Sequence, residues 1–195
     1  MKYEFKKIEP SQKWIIDDSN PIIREKSTNL DINNITSNDI EAISKLISYT
    51  DASFEQKAKK YNIQPGIAIT GVQIGYMKRV CYIHFMDVND EKTEEHNLLL
   101  INPEIIENSY QKSYLDGGEG CLSVPEARNG IVPRYSKIKI KYYDIYTEQY
   151  RTLSASGMLS ICIQHEMDHM DGKLYYDRIN IFNPFYIDES WEKIK

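Results

Sequence analysis

The residue types best suited to chemistry in this chain of 195 residues stand in Gln164-His165-Glu166-Met167-Asp168-His169, followed by Met170-Asp171-Gly172. Residues four apart lie one above the other on a helix, so both imidazoles can reach one ion, with Glu166 beside them to handle a proton from metal-bound water. Two histidines at helical spacing are by themselves equally compatible with ordinary packing. The intervening Glu decides, because it sets a candidate base beside an incomplete coordination sphere, as a catalytic metal site needs.

The third ligand separates three kinds of enzyme. In the metzincin type a Gly and a third His follow the helix; this chain has Gly172, but Tyr175 stands where that His would be. In the thermolysin type a downstream Glu completes the set. Glu189 is that candidate, with little chain after it to form the helix that would present it, and it defines the alternative reading, a zinc endopeptidase. The third candidate is upstream, in Glu119-Gly120-Cys121-Leu122-Ser123. There Cys121 offers a thiolate that, with two imidazoles, leaves a fourth position for water.

Glu119-Gly120-Cys121-Leu122-Ser123 followed by Gln164-His165-Glu166-Met167-Asp168-His169-Met170-Asp171-Gly172 resembles the peptide deformylase family, whose members remove the N-formyl group from new bacterial polypeptides. Asn20-Pro21-Ile22-Ile23-Arg24 and a long helical insertion after it are similar to the longer, type 2 branch. A further stretch, Gly66-Ile67-Ala68-Ile69-Thr70-Gly71-Val72-Gln73, is aligned with the family's Gly-x-Gly-x-Ala-Ala-x-Gln; it keeps Gly66 and Gln73 and departs at Ala68, Thr70 and Gly71. The resemblance runs from residue 20 to residue 180.

It implies a divalent metal on Cys121, His165 and His169, with Glu166 taking the proton as hydroxide attacks the formyl carbon and then delivering it to the departing amine. The Gln73 amide and the backbone N–H of Leu122 would share the charge that develops on the carbonyl oxygen. Ile67, Met158 and Cys162 would line the pocket for the substrate's methionine, with Ala68, Gly120 and Arg128 along the peptide. Glu119 and Asp168 would orient imidazoles or hold nearby arginines. Ligand types alone suggest Zn(2+); the resemblance implies Fe(2+) in vivo, with Zn(2+), Ni(2+) or Co(2+) as substitutes. Its implied partners are N-formyl-Met nascent peptides and, transiently, the ribosome.

The elements that must position these residues read as follows. Ser37-Asn38-Asp39 caps a helix whose Ile40, Ile43, Leu46 and Ile47 recur at helical spacing, predicted to run to residue 60 with a break near Tyr49-Thr50-Asp51. Gly66 to Gly75 interleaves small and apolar residues, suiting an extended segment that another backbone can approach. Val80–Met86 reads as a strand, Asp87–Asn97 as a charged turn, and Leu98–Pro103 as a strand stopped by its proline. His84 is expected to be structural and His96 solvated. Lys137–Tyr143 alternates as a half-exposed strand, with Tyr150–Leu153 pairing back on it and Leu153–Met170 forming the metal helix, ended by Gly172. The aromatic tail from Tyr175 reads as an irregular piece and a last strand.

A net charge of −5 argues against nucleic acid as the partner. Three cysteines at irregular spacing fit a reducing, cytoplasmic setting, and neither a signal peptide nor a membrane span is legible. The expectation is one α+β domain over 1–195, with antiparallel sheets around a central helix carrying His-Glu-x-x-His.

Overall fold

The computed structural model describes residues 3–88 and 93–194. Helix α1 (Ser37–Phe54) starts at a reciprocal cap: the Asp39 N–H donates to the Thr36 hydroxyl at 3.3 Å, and the Thr36 N–H donates to the Asp39 carboxylate at 2.7 Å. The break expected near Tyr49–Asp51 lies later, at Glu55–Lys57, where Gln56 takes φ 58° ahead of the short α2 (Ala58–Tyr61). Tyr49 and Thr50 are buried, and the Tyr49 hydroxyl donates to the Gln64 carbonyl at 3.0 Å, so that turn stays helical.

The strands are β1 (Ala68–Thr70), β2 (Val80–Val88), β3 (Thr93–Asn108), β4 (Lys112–Leu115), β5 (Arg134–Tyr135), β6 (Lys137–Asp144), β7 (Gln149–Ser156) and β8 (Glu192–Ile194), with helix α3 (Gly157–Met170) between the last two. A five-stranded sheet in the order β1-β2-β3-β6-β7 is antiparallel throughout. A second sheet, β5-β4-β8, pairs β4 with β8 in parallel, which departs from the expectation of antiparallel sheets. The class is α+β.

Three sequence expectations are corrected by the strands. The flanks of the predicted charged turn are strand, since β2 reaches Val88 and β3 begins at Thr93; the tip, 89–92, lies outside the described residues. Pro103 does not stop β3. It falls in a register shift between Ile101 and Glu104, beside Asn102 at φ 51°, where the ladder asks no N–H of a proline. Residues 153–156 belong to β7, with Leu153 opposite Ile140 and Ala155 opposite Ile138, so α3 begins only at Gly157.

The large sheet separates two apolar clusters. One face packs Ile69, Tyr82, Leu99 and Tyr143 against Ile43, Leu46 and Tyr49 of α1. The other packs Ala68, Cys81, Ile83 and Ile140 against Leu159, Cys162, Ile163 and Met167 of α3. The alternation along β1 and β2 therefore puts the two long helices on opposite faces. Helix α3 ends where Gly172 takes φ +72°; a Cβ there would collide with the Arg24 carbonyl. Among the described residues no helix is long and apolar enough to cross a membrane.

Candidate active site

Helix α3 presents His165 and His169 one turn apart, with ring centroids 5.0 Å from each other. Cys121, in the loop between β4 and β5, meets them: its Sγ lies 3.1 Å from His169 Nε2. Ligand atoms of Cys121, His165 and His169 all lie within 4.8 Å of one another, the single such group of His, Cys, Asp or Glu among the described residues. Glu189, the alternative third ligand, is exposed in a turn and takes no part in it.

Of the two imidazoles, His165 is directed by what its other nitrogen meets. His165 Nδ1 donates to Glu119 Oε2 at 2.8 Å, which leaves Nε2 for a ligand role. Glu119 is itself gripped by Arg134, whose Nε and Nη2 each donate to one carboxylate oxygen at 2.8 Å; the two side chains are 3 % and 1 % exposed. Arg134 also donates to Asp168, which receives Arg178 as well. Burial alone would raise Glu119, but the Arg134 and His165 contacts outweigh it and hold this carboxyl at about 2. His169 is driven well below the ordinary histidine value by burial and by the charge of His165, a state suited to ligation.

Glu166 is buried, and burial pushes it up to about 7, against the pull of His165 and Arg134. Its Oε2 and the Nδ1 of His169 are buried without a protein partner. Gln73 is 2 % exposed; its Oε1 accepts the Thr70 N–H at 2.9 Å, and its Nε2 lies 3.7 Å from Cys121 Sγ and 3.2 Å from Ser123 Oγ. The turn that carries Gln73 explains one departure from the aligned motif: a Cβ at Gly71 would lie 2.5 Å from the Tyr76 carbonyl, so alanine does not fit this backbone.

Beside Cys121 and His165 opens a cavity of about 310 Å³. Of the expected substrate residues, Ile67, Ala68, Gly120, Met158 and Cys162 line it, as do Leu122 and Glu166. Arg128 does not: it is exposed, with its guanidinium 5.9 Å from the Tyr176 ring. Ile161 also lines the cavity; it stands four residues before His165, a spacing from which its shared face was readable. Two residues of the surroundings had no comparable signal. Arg134 reads as one more basic residue before a strand. Tyr175 stacks on His165 with centroids 6.1 Å apart while its hydroxyl accepts the Arg128 backbone N–H. His84 is structural as expected, and His96 is not solvated but packed against Phe85, with centroids 5.1 Å apart.

Comparison with known proteins gives a consistent result. The family model described as Polypeptide deformylase matches residues 12–184. Peptide deformylase of Ureaplasma parvum serovar 3 is 46 % identical over 187 residues, covering 96 % of this chain and 92 % of that one. The Malacoplasma penetrans peptide deformylase is 42 % identical over 190 residues, covering 97 % and 100 %. Among solved structures, the Met-ala-ser-bound class I type b peptide deformylase of Acinetobacter baumannii superposes with a TM-score of 0.68 at 25 % identity, over 89 % of this chain and 100 % of that one. With a thiolate and two imidazoles converging beside a buried glutamate, and relatives matched nearly end to end, the chain belongs to the polypeptide deformylase family.

Proposed function

We propose that this protein hydrolyses the N-formyl group from the terminal methionine of new polypeptides, releasing formate, and that one catalytic domain over 1–195, with α3 as its central element, does so. The observation that carries this reading is the Cys121, His165 and His169 cluster at a cavity lined by Glu166 and apolar residues. The donor set suits a divalent metal: one sulfur, two imidazole nitrogens, and a buried glutamate oxygen without a protein partner beside them. When bound, such a metal lowers the pKa of its water from about 15.7 toward about 7 and polarises a carbonyl. Fe(2+) is the metal we assign in vivo, with Zn(2+), Ni(2+) and Co(2+) as functional or inert substitutes.

The residues divide the work. Glu166 accepts the proton of the attacking water as the formyl carbon becomes tetrahedral, then hands it to the departing amine; burial has already moved this carboxyl toward the pH at which one group can both take and give a proton. Gln73, held by Thr70, and the Leu122 N–H stabilise the charge that grows on the carbonyl oxygen. Met158, Cys162 and Ile161 on α3, with Ile67 and Ala68, enclose the methionine side chain. Ala68 packs in the cluster beneath α3, so its methyl faces the core while its backbone stays at the cavity. The Acinetobacter relative, crystallised with Met-ala-ser, shows a Met-initiated peptide accommodated in that protein. Cytoplasmic location and a transient ribosome contact complete the reading.

Formate release from formyl-Met-Ala-Ser, run beside internal cleavage of casein, tests it. Formate from the peptide with casein intact is the expected result; cleavage of casein without formate would restore the endopeptidase reading.

A further inference from the structure

The chain between α3 and β8 carries Ile181, Phe182, Phe185, Tyr186 and Ile187 in the open: Phe182 is 91 %, Ile181 83 % and Phe185 66 % exposed, and the other two are each 44 % exposed. This segment is not frayed. Asn180 Oδ1 accepts the N–H groups of Phe182 and Asn183 at 2.9 and 3.1 Å, and the Tyr186 N–H donates to the Asn183 carbonyl at 3.0 Å across a turn with Pro184 in its first central position. The Pro184 carbonyl in turn accepts the Ile131 N–H at 2.8 Å, and the Tyr186 ring meets Trp191 edge-on with centroids 5.7 Å apart. Two tight turns in succession therefore keep the five apolar side chains within one short knob, fastened to the loop that follows Cys121.

We infer that this knob is the contact surface of a homodimer, in which it meets the same knob of a second copy. Its size gives the first argument. At ~150–250 Å² for a fully exposed aromatic side chain, the three rings and two isoleucines present roughly 600 Å² of apolar surface, the upper end of what a monomer leaves open. Two such faces in contact bury about 1,200 Å², the lower bound of a specific interface. Charge gives the second argument. Residues 179–187 contain no ionisable group except the Tyr186 phenol, so two copies can meet without burying a charge. The borders do not suit the other partners such a surface could take. Asp188 and Glu189 follow it directly, while Arg178 before it is spent on Asp168, and an anionic membrane or a nucleic acid needs free cations there. An uncharged apolar surface is complementary to itself, which is what a two-fold contact asks of it.

Sedimentation velocity on the full chain, from about 1 to about 200 μM, tests this, because an interface at the small end of the specific class gives affinities around the micromolar range. The expected result is a reversible passage from monomer to dimer within that range. High salt should not weaken it, since the contact is apolar and each copy carries a net charge of −5. Phe182→Ser combined with Phe185→Ser should leave the chain monomeric at the top of the range, with the circular dichroism of the parent. Neither residue lines the catalytic cavity, so formate release from formyl-Met-Ala-Ser should also be unchanged. Phe182→Lys, which puts a charge into the contact without opening the core, should weaken the dimer at least about tenfold. A parent chain that stays monomeric throughout overturns the inference, as does a dimer that persists in these variants or one that salt dissociates. Flotation with phosphatidylcholine–phosphatidylglycerol vesicles is the remaining arm, and no capture is expected; capture of the parent but not of the double variant would assign the knob to a lipid surface and overturn the dimer.

Discussion

Two histidines in this molecule sit in carboxylate-rich surroundings and differ in one respect. His165 gives Nδ1 to Glu119 and keeps Nε2 toward Cys121 and His169. His84 gives both nitrogens away, to Asp51 and Glu95, and lays its ring on Phe54. The first is an imidazole oriented for use; the second is a joint between α1, β2 and β3. What separates a ligand from a fastening is therefore the nitrogen left over after the carboxylates are satisfied, and neither burial nor the number of acids nearby reveals it. The supports differ as well: Glu119 is locked by Arg134 with almost no solvent contact, whereas Asp51 and Glu95 are 30 % and 52 % exposed.

The largest effect should come from removing the shared focus of the first arrangement. Cys121→Ser is expected to abolish the intense near-ultraviolet charge-transfer band that a thiolate gives with Co(II), and to lower formate release by several orders of magnitude. If the band survives, Cys121 is not a ligand, and the leftover nitrogen of His165 serves something else. Next, Glu166→Gln keeps the shape of the site and removes the base we propose, so turnover should fall ~10² to 10⁴-fold with metal content retained. A variant within threefold of the parent enzyme would end the assignment of Glu166 as base.

On the role proposed for it, Gln73→Ala removes an amide that would meet charge appearing only in the transition state; kcat is expected to fall ~10² to 10³-fold with little change in KM. A rise in KM alone would make Gln73 a positioning group. Smaller again is the effect of weakening the support behind the metal ligand. Glu119→Gln leaves His165 its partner in shape but removes the charge that Arg134 holds, and Co(II) affinity, measured by chelator competition, should drop ~10- to 100-fold. Equal affinity in the variant would show that His165 needs no directing carboxylate, and that the contrast with His84 lies elsewhere.

The parts of this site that follow local chemistry were readable from residue order. The His165 and His169 spacing, the Cys121 loop, the β6 and β7 hairpin and the Gly172 stop all depend on neighbours within a few positions. What was not readable depends on distant partners. Arg134 looks like any surface arginine until the fold closes Glu119 and Asp168 around it, 15 and 34 residues away in sequence. Pro103 reads as a stop because the bulge at Asn102 is fixed by a long-range pair, the Asn102 side chain accepting the Leu30 N–H and donating to its carbonyl. The predicted break near Tyr49–Asp51 failed for the same reason: Tyr49, weakly helical by propensity, is anchored through its hydroxyl to Gln12 and to the Gln64 carbonyl.

The smallest effect should follow from undoing the joint. His84→Leu deletes two hydrogen bonds to carboxylates, yet Asp51 still receives the Tyr82 hydroxyl at 2.8 Å and Glu95 is half in water, so neither acid is stranded. The cost is then set by the lost contacts and not by an unpaired buried charge, ~1 kcal/mol, which for a domain of this size lowers Tm by about 2 to 4 °C. The Co(II) charge-transfer band should keep its position and intensity, because the chain from Arg134 through Glu119 to His165 does not pass through α1. A shifted band in His84→Leu would show that the α1 joint reaches the metal ligands through the sheet, and would turn the contrast between the two histidines into a connection.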